Sequence, residues 1–178
     1  MFNLKNPIIY WGLTFIIIVI EVIPFVSFTK YTGEIRRGKL EGFGTRSYFL
    51  FDEHCEGEFR NGELNGKGKS WFGPKSKSPS ENYVGDFQND FKHGYGTLTL
   101  SDGQIYEGDF FEDKFHGKGE TRFPNGDTYE GNFKNNLQHG FGVYIFADGR
   151  IESGQYGNGE FLGSKLTARF GGSHFLIF

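Results

Sequence analysis

Cysteine is nearly absent from this 178-residue chain: Cys55 stands alone, so no intrachain disulfide can brace the fold. An excess of positive charge is missing too. The net charge of −3 and pI of about 6.0 argue against a general nucleic-acid binder, which would carry a basic stripe and a high pI. Long hydrophobic runs are confined to the first 28 positions, and the remainder holds too few aliphatic residues for a thick two-layer core. What is abundant is an unusual pair, 28 Gly and 22 Phe. Glycine weakens packing and phenylalanine demands it, so their coexistence implies a regular pattern with aromatic rings as the apolar filling.

The one long apolar run, PIIYWGLTFIIIVIEVIPFVSF, extends from Pro7 to Phe28. As a helix it would rise about 33 Å, enough for a hydrocarbon core of about 30 Å. Thirteen Leu, Ile, Phe or Val residues between Ile8 and Val26 outweigh the one charge, Glu21, which lies past the middle of the span. Glu21 fits a snorkelling or protonated carboxyl, or a helix–helix contact, better than a functional site. A cleaved signal peptide fits less well, because Phe25 to Lys30 offers no small-x-small cleavage site, and a buried soluble helix would show a polar face. Residues 1–28 are therefore expected to form a retained single-pass membrane helix that joins the chain to the lipid bilayer. Lys30, Arg36, Arg37, Lys39 and Arg46 follow the span, against Lys5 and the chain amine before it, which places the remainder in the cytoplasm.

Beyond that run the sequence repeats. Segments starting at Tyr83, Tyr106 and Tyr129 recur every 23 residues as YVGDFQNDFKHGYGTLTLSDG, YEGDFFEDKFHGKGETRFPNG and YEGNFKNNLQHGFGVYIFADG. Looser copies begin at Tyr31 and Cys55, and a degenerate sixth begins at Glu152. Tyr-x-Gly-x-Phe, a turn, His-Gly-x-Gly and a second turn together resemble the MORN (membrane occupation and recognition nexus) repeat, over residues 31 to 163. Departures are Cys55 and Glu152 at the Tyr position, Glu41, Asn65 and Leu162 at the His position, and Lys165 for the final Gly. The resemblance implies an all-β fold: an elongated, single-layer, twisted antiparallel sheet in which each repeat is a hairpin. It also implies binding, since members of the family occur in membrane-contact and cytoskeletal proteins and beside lipid-kinase or methyltransferase domains.

The residues argue for the same architecture. In Tyr106-Glu107-Gly108-Asp109-Phe110, alternation puts Tyr and Phe on one face with a Gly notch between them and turns the two acids to the other. Four residues after each Gly-x-Gly stand Tyr48, Phe72, Leu100, Phe123 and Phe146, again on an alternating face, so rings of one strand can lie over glycines of the next. Arg37-Gly38, Asn61-Gly62, Asn135-Asn136 and Asn158-Gly159 read as mid-repeat turns, and Asp102-Gly103, Asn125-Gly126 and Asp148-Gly149 as repeat ends. Five full repeats predict ten strands and a sheet about 45 Å long. A 28-residue spacing from Cys55 to Tyr83 places a protruding loop at Gly73 to Asn82. The tail 164–178 ends in the apolar HFLIF, expected to cover the last strand's edge or to meet a partner.

Little of this reads as chemistry. His93, His116 and His139 stand one repeat apart, about two strand spacings, too far to share a zinc ion, and read as turn residues. No Gly-x-Gly opens a helix, as a phosphate loop would, and Cys55 lacks a fixed base. Glu107 and Glu130 read as solvated decoration. No catalytic residue, metal or cofactor is expected. Residues 30–77 carry ten basic and seven acidic side chains, whereas 78–178 carry eight and fourteen, so the membrane-proximal half is positive. Two functions follow. The first is a scaffold that recruits a protein partner, with Tyr83, Phe87, Tyr106, Phe110, Tyr129 and Phe133 as its contact residues. The second is recognition of anionic phospholipid headgroups, with Arg36, Arg37 and Lys39 nearest the bilayer.

Overall fold

The computed structural model describes residues 29–74, 76 and 81–164. These form one antiparallel sheet of twelve strands in strict sequence order. The strands are β1 (Thr29–Arg36), β2 (Lys39–Tyr48), β3 (Glu53–Arg60), β4 (Glu63–Phe72), β5 (Asn82–Gln88), β6 (Phe91–Thr99), β7 (Ile105–Phe111), β8 (Lys114–Arg122), β9 (Thr128–Lys134), β10 (Leu137–Ile145), β11 (Ile151–Gly157) and β12 (Glu160–Gly163). Twelve strands replace the expected ten because the degenerate sixth repeat still makes a hairpin, β11–β12, closed by Asn158-Gly159. The expected membrane helix at 1–28 and the tail from 165 lie outside the described residues. Phe72 and Asn82 bound the expected protruding segment, and Trp71 still pairs with Asn82 beneath it, so the surplus residues leave the sheet without shifting its register.

Every mid-repeat turn has both central residues at positive φ, the geometry that matches the twist of the flanking strands. Asn-Gly supplies it at Asn61 and Gly62, but Glu112 (φ 47°) and Asp113 (φ 63°) adopt it too, against their intrinsic preference. A hydrogen bond compensates. Asp113 Oδ1 accepts the Lys92 N–H at 2.8 Å, and the Asp113 N–H donates to the Lys92 carbonyl at 3.0 Å, so each turn clasps the hairpin before it. Asp90 does the same to Leu64, and Asn136 to Phe115.

The His-Gly pair has a mechanical role. Gly94 and Gly117 sit at φ near 60°, beside irregularities where the ladder slips between Gly85 and Asp86 and between Gly108 and Phe110. The neighbouring carboxylate closes each one: Asp86 Oδ2 accepts the Tyr95 N–H at 3.2 Å, and Asp109 Oδ2 the Lys118 N–H at 3.0 Å. The Asp of Tyr-x-Gly-Asp-Phe is thus a bulge cap.

One face carries the core. Tyr83, Tyr106 and Tyr129 lie flat over the paired glycines Gly85–Gly96, Gly108–Gly119 and Gly131–Gly142, and their hydroxyls donate to the carbonyls of Asp86, Asp109 and Asn132 at 2.8, 2.8 and 3.1 Å. Phenylalanines stand edge-on between them. The centroid steps Phe87–Tyr83–Phe110–Tyr106–Phe133–Tyr129–Tyr156 are all 5.0 or 5.1 Å, at interplanar angles of 77–90°. Each such pair contributes about 1 kcal/mol beyond its area burial. A single layer thereby obtains a continuous core without a second sheet.

A Cβ at Gly119 would lie 2.5 Å from Tyr106 Oη and 2.7 Å from its Cε2. Gly119→Ala is therefore expected to cost about 2 kcal/mol or more in urea unfolding, by lifting the ring off its seat. Burial pushes the Tyr129 hydroxyl up to about 12, from 10.0. Stability is full below about pH 10, where folded and unfolded chains alike keep the proton, and falls as pH rises towards 12 because only the unfolded chain ionises. Circular dichroism and tyrosinate absorbance followed together should show unfolding coincident with the late, high-pH ionisation of the buried tyrosines.

Candidate functional site

The six aromatic residues expected to meet a partner are the core itself. Tyr83, Phe87, Tyr106, Phe110, Tyr129 and Phe133 are 0–6% exposed, packed on one another and on glycine backbone. This corrects the sequence expectation. An alternating aromatic face in an isolated layer exposes rings only if they cannot cover each other, and here flat Tyr alternates with upright Phe to seal the face.

Among the described residues nothing covers the other face. Phe43 (67% exposed), Tyr95 (53%) and Phe141 (55%) project from it, with Val84, Ile145 and Ile151. They come from the x positions of Gly-x-Gly and Tyr-x-Gly and from strand ends, and alternation alone sends them opposite the core. A shallow groove of about 490 Å³ runs between Phe43, Lys67, Lys69, Val84, Tyr95 and Thr97, floored by glycine backbone. Lys67 reaches Asp86 at 2.6 Å and Lys69 reaches Glu56 at 3.0 Å, so this stretch is apolar with matched charges. Further along, Glu107 pairs across strands with Glu120, and Glu120 with Glu130. Like charges in direct register oppose sheet formation. Tyr95 Oη relieves Glu107 by donating at 2.9 Å, and Arg122 Nε holds Glu120 at 2.8 Å. A second hollow of about 600 Å³ lies towards the mid-repeat turns, among Glu41, Glu58, Arg60, Asp86, Gln88 and His93.

Arg36, Arg37 and Lys39 are exposed at the first turn, and Arg36 is engaged by Glu34 at 2.7 Å. This turn stands at the far end of β1 from Thr29, about 26 Å away for eight extended residues. His93 and His116 flank the Phe111 ring at 5.1 and 5.8 Å, and His139 is exposed. Among the described residues no group of three His, Cys, Asp or Glu could hold a metal ion. Cys55 is buried, and burial pushes its thiol up, which suits packing rather than reactivity.

Sequence reasoning missed Arg46. It occupies a core-facing position opposite Cys55, and the small thiol in place of the usual Tyr ring leaves room for the guanidinium. Arg46 makes a bidentate contact with Asp90, at 2.6 and 3.3 Å, donates to the Gly62 carbonyl at 2.9 Å, and lies 5.5 Å from the Phe59 ring. The signal was legible as a coupled departure: the repeat lacking Tyr follows the strand that carries Arg at the facing position. Asp90→Asn keeps an acceptor for the Leu64 N–H but removes the charge that balances the guanidinium. Because the Asp90 side chain is 38% exposed, the expected cost is about 2 kcal/mol rather than that of a fully buried pair. Thermal melts of Asp90→Asn and of Arg46→Leu with Asp90→Asn should show the double variant the more stable of the two.

Comparison with known proteins agrees with this geometry. The model of the MORN repeat matches residues 31–49, 55–76, 83–105, 106–128 and 129–149. No curated protein matches the chain.

Proposed function

We propose that this chain, which belongs to the MORN repeat family, is a non-enzymatic scaffold that holds a protein partner at a membrane surface. Residues 1–28 serve as its single-pass anchor, and the repeats project into the cytoplasm. The observation that carries this reading is the open face: Phe43, Tyr95, Phe141 and Ile151 project from a surface that no described element covers, while the opposite face is consumed by the core. Partner contact moves accordingly from the six buried aromatics to this face.

Recognition of anionic phospholipid by the repeats is the weaker reading. Arg36, Lys67 and Lys69 are already matched by Glu34, Asp86 and Glu56, and the distal half of the chain is acidic.

A photo-crosslinker placed at Tyr95 in the full chain, in native membranes, should yield a discrete protein adduct that Phe43→Ser with Phe141→Ser reduces at least tenfold. These exposed substitutions should leave the melting curve nearly unchanged. Lipid adducts in place of protein would favour the phospholipid reading, and adduct formation indifferent to both Phe substitutions would overturn the scaffold face.

A further inference from the structure

The tips that close the later repeats are polar and tight: Ser101-Asp102-Gly103, Pro124-Asn125-Gly126 and Ala147-Asp148-Gly149, each with its Gly at φ near 90°. The tip between β2 and β3 breaks that pattern. It reads Phe49-Leu50-Phe51-Asp52, and its three apolar residues are 63%, 65% and 55% exposed. Three consecutive large apolar side chains in water are a liability that the other tips avoid. Nor is the tip a loose end. Asp52 Oδ1 lies 3.1 Å from His54 Nε2, and the Asp52 carbonyl accepts the Gly73 N–H at 2.7 Å, so the following repeat braces it in place.

Its position is the telling feature. In the β1–β2 ladder Thr29 pairs with Tyr48, the residue just before the tip. Thr29 is also where the apolar run 7–28 joins the sheet. The apolar tip therefore adjoins Thr29, the residue that follows the apolar run in sequence, the paired strand ends Thr29 and Tyr48 lying about 5 Å apart in the backbone. Lys30, exposed one residue further along, is placed to meet headgroups beside them.

We propose that Phe49-Leu50-Phe51 is a membrane wedge, inserted into the interfacial zone of the bilayer beside the N-terminal anchor; it rests on the anchored reading above. Two attachments at neighbouring strand ends orient the sheet. Its strands rise from the membrane, the repeat-end tips face the lipid, and the mid-repeat turn at Arg37-Gly38 stands about 26 Å off in water. An apolar occupant fits better than an anionic one, because the tip offers rings and no cation. The open face stays clear of the bilayer and free for a partner.

The test uses the full chain reconstituted in phosphatidylcholine vesicles. An environment-sensitive dye is attached at Leu50→Cys or, separately, at Arg37→Cys; buried Cys55 does not compete for label. The expected result at position 50 is blue-shifted emission quenched at least twofold by brominated acyl chains, with neither effect at position 37. Carbonate extraction, run in parallel, reports the anchor. A water-exposed dye at 50 in carbonate-resistant protein overturns the wedge and leaves the anchor standing. Quenching at 50 in protein that carbonate strips away supports the wedge and overturns the anchor. Blue-shifted emission at 50 that brominated lipid does not quench assigns the tip to a protein contact and overturns the wedge, and quenching at both positions overturns the upright orientation.

Discussion

The three central hairpins of this sheet depend on a tyrosine ring lying on two glycines that face each other across a strand pair. A single β-layer has no second layer to bury its side chains, so it must find thickness within itself. Removing two Cβ atoms opens a slot one ring deep, and Tyr83, Tyr106 and Tyr129 fill such slots with their hydroxyls returned to the backbone. Flat Tyr leaves the flanks for upright Phe, and the edge-to-face chain then runs from repeat to repeat. The abundance of Gly and Phe is one requirement seen from two sides.

That economy has a consequence for function. Aromatic residues that look poised for recognition are already engaged, so among the described residues recognition is left to what the core does not use: the opposite face and the two rows of turns. The turns are unequal. Mid-repeat turns clasp their neighbours through Asp90, Asp113 and Asn136, which makes that edge of the sheet structural. Repeat-end tips are tied less uniformly, Asp52 to Gly73 and Asp127 to Ala147, and it is there that the sequence varies most, from Phe49-Leu50-Phe51 to the segment after Phe72 and the Asp-Gly tips beyond. In a repeat protein each unit needs only its neighbours, so such variation is tolerated.

Departures from the repeat are informative for the same reason. Cys55 alone reads as a lost ring; with Arg46 opposite it, the pair reads as an exchange of an aromatic filler for a buried cation matched by Asp90 two repeats on in the chain. Glu41, Asn65 and Leu162 at the His position leave the hairpins intact, because the bulge there depends on backbone and on a capping carboxylate more than on the imidazole.

The amino-acid order alone determined the all-β class, the repeat period, four of the mid-repeat turns and which residues share a face, because period-two alternation and positive-φ turn residues are local properties. It did not reveal the turns at Asn89-Asp90 and Glu112-Asp113, whose unfavoured conformations are stabilised by bonds to a different hairpin. Nor could it say that the aromatic face is sealed, since burial in one layer depends on ring orientation across three or more strands. Tertiary structure also separated Arg37 from Thr29 by the length of a strand and set Phe49 beside the point where the apolar run ends. Sequence proximity and spatial proximity part company wherever a strand runs straight and its partner folds back.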